Sequence, residues 1–439
     1  MSQRVALIAL AAAFVALHAV PRADLWCVRF CPPWGAAVLI LTWVALLVPG
    51  VQTSVLRAVQ RAGEWVARRS RRWRVGASLV ISLATFAPFR LLADNRRFGD
   101  GVGLIGLVQG GYRFDPHAPL GLYLQSRLFE WARHHDPKIT VVETWGTTSA
   151  LAGVAFVFVT LCLADLIGRG RREKAILAGL ILTLASMQLF FSEVEDYATS
   201  TLAVLGYLYF AGRACQRGRG VFAAAVLLSL SMTFSMSTAF LVPSLAALVL
   251  VVSRGESLRC RFTTAALAAA GVVLPLGFVL LAMQCLGGVD VVAMYTKQSH
   301  LSHVGDYVTL YGRPRSTFSL QHWTDLVQLN VLVAPFSVAL LVLFARRAWG
   351  ERVVRDPFVA FSVVLTGCAC VFLLFWIPGF TMDFDWDLFS MFALPTTVTA
   401  ALLATRVRAR PLAAPDALRV IALSAVHAGL WVWTGHTPR

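Results

Sequence analysis

About thirteen apolar segments, each close to the length needed to cross a bilayer, alternate along this chain with short loops rich in arginine. Such a chain can satisfy its backbone in hydrocarbon only as helices packed side by side, because lipid offers nothing to an open strand or an irregular loop. Apolar runs of roughly 17–25 residues are read at 4–21, 35–56, 76–93, 149–168, 175–191, 197–212, 221–237, 238–253, 262–284, 327–345, 357–378, 388–405 and 417–433. The expected fold class is therefore all-α: a polytopic transmembrane helix bundle of about 13 spans, one integral membrane domain over 1–439 with structured outer loops. Segment 221–253 is the test of the scheme. As one helix its 33 residues would run about 50 Å, too long for a hydrocarbon core of roughly 30 Å. Both of its flanks are basic, so a broken pair turning near Ser235–Ser237 is expected. Residues 1–26 read either as the first span or as a leader to be cleaved, with Arg4 ahead of the apolar run.

Charge sets the sidedness. Loops 57–75, 169–174, 213–220, 254–261, 346–356 and 406–419, with Arg4, hold 26 of the 39 Lys and Arg, while 16 of the 23 Asp and Glu fall on the other side. The positive-inside rule makes the N-terminus and the basic loops cytoplasmic and the acidic loops periplasmic or exterior. The net charge of +16 does not argue for nucleic acid, because the arginines are spread over short loops between spans. At 14% charged residues the chain is far below the roughly 25% of a soluble domain.

Two outer loops are long, 94–148 and 285–326. In the first, GLIGLVQGG (103–111) reads as a short helix ending at glycines. LGLYLQSRLFEWARHH (120–135) places Leu120, Tyr123, Leu124, Leu128 and Trp131 on one helical face. That helix suits either the headgroup layer, in the plane of the membrane, or a cap packed on the bundle. The second loop is rich in His, Arg, Tyr and Ser/Thr, and Gly312 with Pro314 argues for a turn.

Three acidic clusters fall on the outer side, where charge near a bilayer usually marks function. DNRRFGDG (94–101) holds Asp94 and Asp100 around Arg96 and Arg97: a carboxylate beside arginines stays ionised and can accept a proton, and arginines can clamp a phosphate. The bland alternative is a solvated, self-paired turn. SEVEDY (192–197) sets Glu193, Glu195 and Asp196 in a very short loop, as acceptor-positioning carboxylates or simply as caps of the following helix. DFDWD (383–387) brings Asp383, Asp385 and Asp387 onto one face if extended. They could meet sugar hydroxyls or a divalent cation, magnesium or manganese being the type that suits carboxylates; no established cation-loop spacing is matched, so metal binding is left open. Trp386 there either stacks on a sugar or anchors at the interface.

Arg313 and Arg315, flanking Pro314, are further candidates for a phosphate clamp against plain surface solvation. His134, His135, His300, His303 and His322 lack the spacing of a zinc-protease helix. Cys27 and Cys31 share the first outer loop as a disulfide, free thiols or metal ligands. No Walker loop, GxSxG or dinucleotide fingerprint is present, so energy from nucleotide hydrolysis is not expected.

The layout resembles the GT-C superfamily of integral-membrane glycosyltransferases, which use polyprenyl- or dolichyl-phosphate sugars. A span followed at once by an acidic residue (FGDG), the run GGYRFDPHAPLGLYL before an amphipathic helix, and EVEDY opening a later helix carry the resemblance, over roughly 76–405. Two spans precede the family's usual first helix, and the acids of the first loop are not adjacent. By position the resemblance implies Asp100 as catalytic base, with Asp94 second. It implies a polyprenyl-phosphate sugar donor, an acceptor glycan, lipid or protein, inversion at the sugar, and a site facing the periplasm of a bacterial inner membrane. A transporter or lipid flippase predicts charge along the span interiors instead. A non-enzymatic scaffold predicts outer acids that are merely solvated.

Overall fold

The computed structural model describes residues 3–19, 25–93, 101–291, 306–308, 314–376, 382–383 and 385–436. Nearly all of them are helical. The exception to the all-α expectation is a two-stranded antiparallel ribbon in the second long loop. Its strands are β1 (Asp306–Val308) and β2 (Pro314–Ser316), with Tyr307 opposite Arg315. The pairing of β1 with β2 satisfies backbone groups in a stretch whose sequence has no helical period.

Among the described residues six helices are long and apolar enough to cross a membrane, or up to eight if each of two bent pairs is one span, and the molecule is a helical membrane protein. The first crossing candidate is α4 (Arg71–Ala84) continued by α5 (Phe86–Leu91). The others are α8 (Val141–Ile167), α13 (Leu258–Gly287), α16 (Pro357–Phe375), α17 (Trp386–Ser390) continued by α18 (Ala393–Arg406), and α19 (Ala414–His436). The remaining helices are α1 (Gln3–Ala19), α2 (Pro33–Leu47), α3 (Pro49–Ala67), α6 (Gly101–Gln109), α7 (Pro119–His135), α9 (Arg171–Leu182), α10 (Tyr197–Arg217), α11 (Val221–Phe234), α12 (Val242–Val252), α14 (Leu320–Val333) and α15 (Ser337–Gly350).

Several expected spans are interrupted. The run 35–56 breaks at Val48, and α3 leaves α2 at 87°. Pro49 has no N–H for the helix ladder and holds Val48 extended, at φ −71° and ψ 115°. The run 327–345 breaks likewise around Pro335, where α14 and α15 meet at 98°. The run 175–191 is α9 followed by a buried 3-10 turn, Ala185–Phe190. Segment 221–253 leaves its helix at Ser235, inside the expected turn, and resumes as α12 after the 3-10 turn Met236–Leu241.

The core is built around α10, α11 and α18. Tyr207 of α10 is fully buried, its hydroxyl 2.8 Å from that of Ser244. Helices α11 and α13 approach closely at Gly271, where a β-carbon would fall 2.6 Å from that of Ala225. Four residues on, Pro275 interrupts the α13 ladder from within. Ser229 of α11 repairs the gap: its hydroxyl donates to the Val272 carbonyl (2.6 Å) and accepts from the Leu276 N–H (3.1 Å). Ser229→Ala strands both backbone groups in an apolar setting. It is expected to cost about 1–3 kcal/mol, read as a lowered midpoint of thermal unfolding in detergent; an unchanged midpoint would mean that water replaces the hydroxyl.

Helices α1, α14 and α19 are joined by imidazoles. His18 Nδ1 lies 2.9 Å from the Phe14 carbonyl, His18 Nε2 lies 3.0 Å from His427 Nδ1, and His427 Nε2 lies 2.8 Å from the Leu332 carbonyl. Phe14 and Phe30 stand edge-on around the His427 ring.

The two ends of the bundle differ in charge, as the loop composition anticipates. At one end the basic loops interlock. Arg406 bonds Glu173 at 2.7 Å and Asp356 at 3.0 Å, Arg169 reaches the same Asp356 at 2.5 Å, and Arg171 lies 3.9 Å from Glu64. Thus loops 57–75, 169–174, 346–356 and 406–419 gather at one end. Cys27 and Cys31, in the loop between α1 and α2, are both free thiols. Burial pushes them up to about 12 and about 11.

Candidate functional site

The opposite end collects carboxylates around the segment 192–197, which follows the 3-10 turn Ala185–Phe190. Glu193, Glu195 and Asp196 are all buried. Helix α8 holds their backbone in place: Ser149 donates to the Glu193 carbonyl at 2.9 Å and Trp145 Nε1 to the Glu195 carbonyl at 3.2 Å. Val194 enters a small apolar cluster with Leu104 and Val108 of α6, Leu122 and Phe129 of α7, and Trp145. Burying one such side chain contributes about 1.5–3 kcal/mol. The acidic segment is therefore anchored by an apolar plug and two backbone bonds, which leaves its carboxylates to be placed by their surroundings.

Both helices of the first long loop press on this segment. A β-carbon on Gly101, the residue after Asp100, would lie 3.0 Å from the Val194 carbonyl and 3.5 Å from Glu195 Oε1. On Gly121 it would lie 2.8 Å from Asp196 Cγ and closer still to Oδ1. Asp196 stands at the N-cap position of α10 but makes no side-chain cap bond. Its carboxylate lies instead against the first turn of α7, where the helix field favours negative charge. Gly121→Ala is expected to cost about 1–3 kcal/mol by overpacking and to displace that carboxylate. Thermal unfolding beside Gly103→Ala, which meets open space, separates local crowding from lost helix flexibility; equal midpoints would mean the contact is soft.

Helix α7 covers residues expected to be helical but packs through a different face. Leu122, Gln125, Ser126 and Phe129 are buried, whereas Leu120, Tyr123, Leu124 and Leu128 are half-buried and Trp131 is 65% exposed. The apolar face read from the sequence is therefore half-covered, with Trp131 at its outer end exposed. A polar bridge, Thr148 Oγ1 to Gln125 Oε1 at 3.3 Å, helps hold α7 to α8.

The third acidic cluster lies on α17 and just before it. Asp385 and Asp387 are buried and Asp383 is half-buried. Helix α17 packs on the turn Ala185–Phe190 and on α14, and the Trp386 ring meets that of Trp431 of α19 at 4.6 Å between centres, tilted by 54°. That contact gives Trp386 a structural role in the bundle. Asp94, Arg96, Arg97, Asp100 and Arg313 lie outside the described residues, as do His300 and His303; Arg315 stands on β2.

Sequence reasoning missed two groups here. Arg90, at the end of α5, donates from Nη1 to the Ser192 hydroxyl at 2.9 Å, and that hydroxyl donates to the Phe89 carbonyl. Ser192 itself adopts φ 63°, a conformation that costs a non-glycine residue energy and that clusters at functional sites. Asp325 of α14 is buried and accepts from Trp26 Nε1 (3.3 Å) and Gln321 Nε2 (2.9 Å). Arg90 was hidden inside an apolar run, and its only sequence signal was its place four residues before Asp94. Among the described residues no three His, Cys, Asp or Glu side chains are grouped to hold a metal ion.

Fold and site together define a helical membrane protein with a carboxylate-rich end built from loops and an ion-paired basic end. No protein-family model matches the chain, and no curated protein does. Among solved structures it is similar to the apo crystal structure of the Archaeoglobus fulgidus oligosaccharyltransferase, with 14% identity and a TM-score of 0.46 over 83% of this chain and 56% of that one. The chain thus spans little more than half the length of that structure, and a likeness this distant transfers neither residues nor activity.

Proposed function

We propose that the protein is a bacterial cell-membrane glycosyltransferase that moves a sugar from a polyprenyl-phosphate donor to an acceptor glycan, lipid or protein on the outer face. The topology of about thirteen crossings with a cytoplasmic N-terminus belongs to the same reading. The observation that carries it is the meeting of the first long loop with the second acidic cluster, through Gly101 at Glu195 and Gly121 at Asp196. A merely solvated set of acids has no reason to be buried and pinned from three helices.

In this reading Asp100, or secondarily Asp94, removes the proton from the acceptor hydroxyl. The oxygen attacks the anomeric carbon, the carbon–oxygen bond to phosphate breaks, and the polyprenyl phosphate leaves with its electron pair, inverting the sugar. Arg96, Arg97, Arg313 and Arg315 hold the donor phosphate. Glu193, Glu195, Asp196, Asp383, Asp385 and Asp387 orient the acceptor. No step is routed through a cation.

The test is purified protein in proteoliposomes with polyprenyl-phosphate donors carrying labelled hexoses or pentoses. Release of polyprenyl phosphate together with transfer of label to an extract of cell-envelope acceptors is expected. Vesicle uptake or lipid flipping without sugar transfer would replace this reading with a transporter.

A further inference from the structure

The 19 residues of α3 follow directly on α2 and run at 87° to it. In the topology proposed above α2 carries the second crossing, and a helix that leaves its end at 87° runs along the membrane surface. None of its residues is buried by the protein. On a helical wheel Val51, Val55, Val59 and Val66 share one face, and Arg57, Gln60, Arg61 and Glu64 the other. On the first of these faces Val51 is 41% and Val59 49% exposed. Trp65, at the edge of that face, and Trp73 stand at right angles, 4.8 Å apart, with the Arg69 guanidinium 5.0 Å and 5.6 Å from their ring centres. From 57 to 74 the chain carries seven arginines and one acid, Glu64, which lies 3.9 Å from Arg171.

We infer that α3 and the arginines after it form a membrane-surface helix that binds anionic phospholipid headgroups at the basic end of the bundle. A shallow valine face is suited to the upper acyl region, and the tryptophans to the boundary between chain and headgroup. The arginine excess is complementary to a layer of negatively charged phosphodiesters and unsuited to a second copy of the same basic helix. The acyl chains cover the valines, and the headgroups meet Arg57, Arg61, Arg68 and Arg69. This inference rests on the membrane fold alone and stands whatever the protein's activity.

The test uses the full chain in nanodiscs of phosphatidylcholine with or without phosphatidylglycerol, with Cys260 and Cys285, both exposed, replaced by serine. A nitroxide at Val59→Cys is expected to be open to oxygen and closed to a water-soluble nickel chelate, and one at Gln60→Cys the reverse. In mixed lipid, Arg57→Gln/Arg61→Gln is expected to lower the retention of phosphatidylglycerol over phosphatidylcholine in native mass spectra by about threefold or more, and 1 M salt to do the same to wild type. The control Arg254→Gln/Arg261→Gln, on another basic loop, leaves retention within that margin. Nickel access at position 59 would put the helix in water. Shielding there from both reagents would put a protein partner on it. Equal loss of retention in the control would reduce the effect to overall charge. Any of these three results overturns the inference.

Discussion

Asp100→Asn is expected to lower sugar transfer by about 10²–10⁴-fold, the contribution typical of a positioned general base. Asparagine keeps the size of the side chain and most of its hydrogen bonding but cannot take the acceptor proton. Insertion, elution on size exclusion and thermal midpoint should stay at wild-type values, because the change adds no volume. Asp94→Asn made in parallel separates the two candidates, since only the true base should give the large fall in kcat. Glu195→Gln, beside Gly101, should act mainly on KM for the acceptor, because its proposed role is to orient. Wild-type turnover in both aspartate variants would remove this loop from the chemistry.

Arg406→Ala should be the most damaging change for stability, at about 3–5 kcal/mol. The Arg406 side chain is only 4% exposed and its partner Glu173 only 9%. It also donates to the Ile167 carbonyl at 2.7 Å, tying α18 to the end of α8. Truncation leaves a buried carboxylate without its counter-charge, and that penalty exceeds the net value of the pair. Arg406→Ala/Glu173→Ala should therefore recover part of the loss. Denaturation in mild detergent with helical circular dichroism reads both. A loss below about 1 kcal/mol in the single variant would mean that water reaches Glu173 and the cluster is only a surface pair.

Much of the architecture was legible because hydrocarbon forces backbone and charge into simple patterns. The break near Ser235 followed from length and from the basic residues on both flanks, and the clustering of basic loops at one end followed from counting arginines. The bends at Val48 and around Pro335 were missed, although Pro49 and Pro335 were in plain view. Apolar composition runs straight through both, and composition is blind to a missing N–H. The candidate site was legible as residue types and not as partnerships. Arg90 finds Ser192 across 102 positions, and Ser229 finds Val272 across 43. No local period encodes either pairing. Asp196 read either as an acceptor-positioning carboxylate or as a helix cap, both from local position, and neither reading foresaw that its carboxylate lies against Gly121 of another element. The sequence left open which face of α7 is packed; Gln125 and Ser126 find partners in Thr148 of α8 and the Tyr112 carbonyl, so a face that is partly polar is buried, a pairing no local period encodes.

The His18–His427 junction carries an arithmetic of its own. Both outer neighbours are carbonyls, which only accept, so closing all three contacts takes three N–H groups. Two uncharged rings supply two. Either one joint of the seam stays open, or the rings share an additional proton and place a cation among phenylalanines. How firmly the first helix is fastened to the last is thus written in a single hydrogen nucleus, and tautomer-resolved nitrogen spectra of the two rings would read it directly.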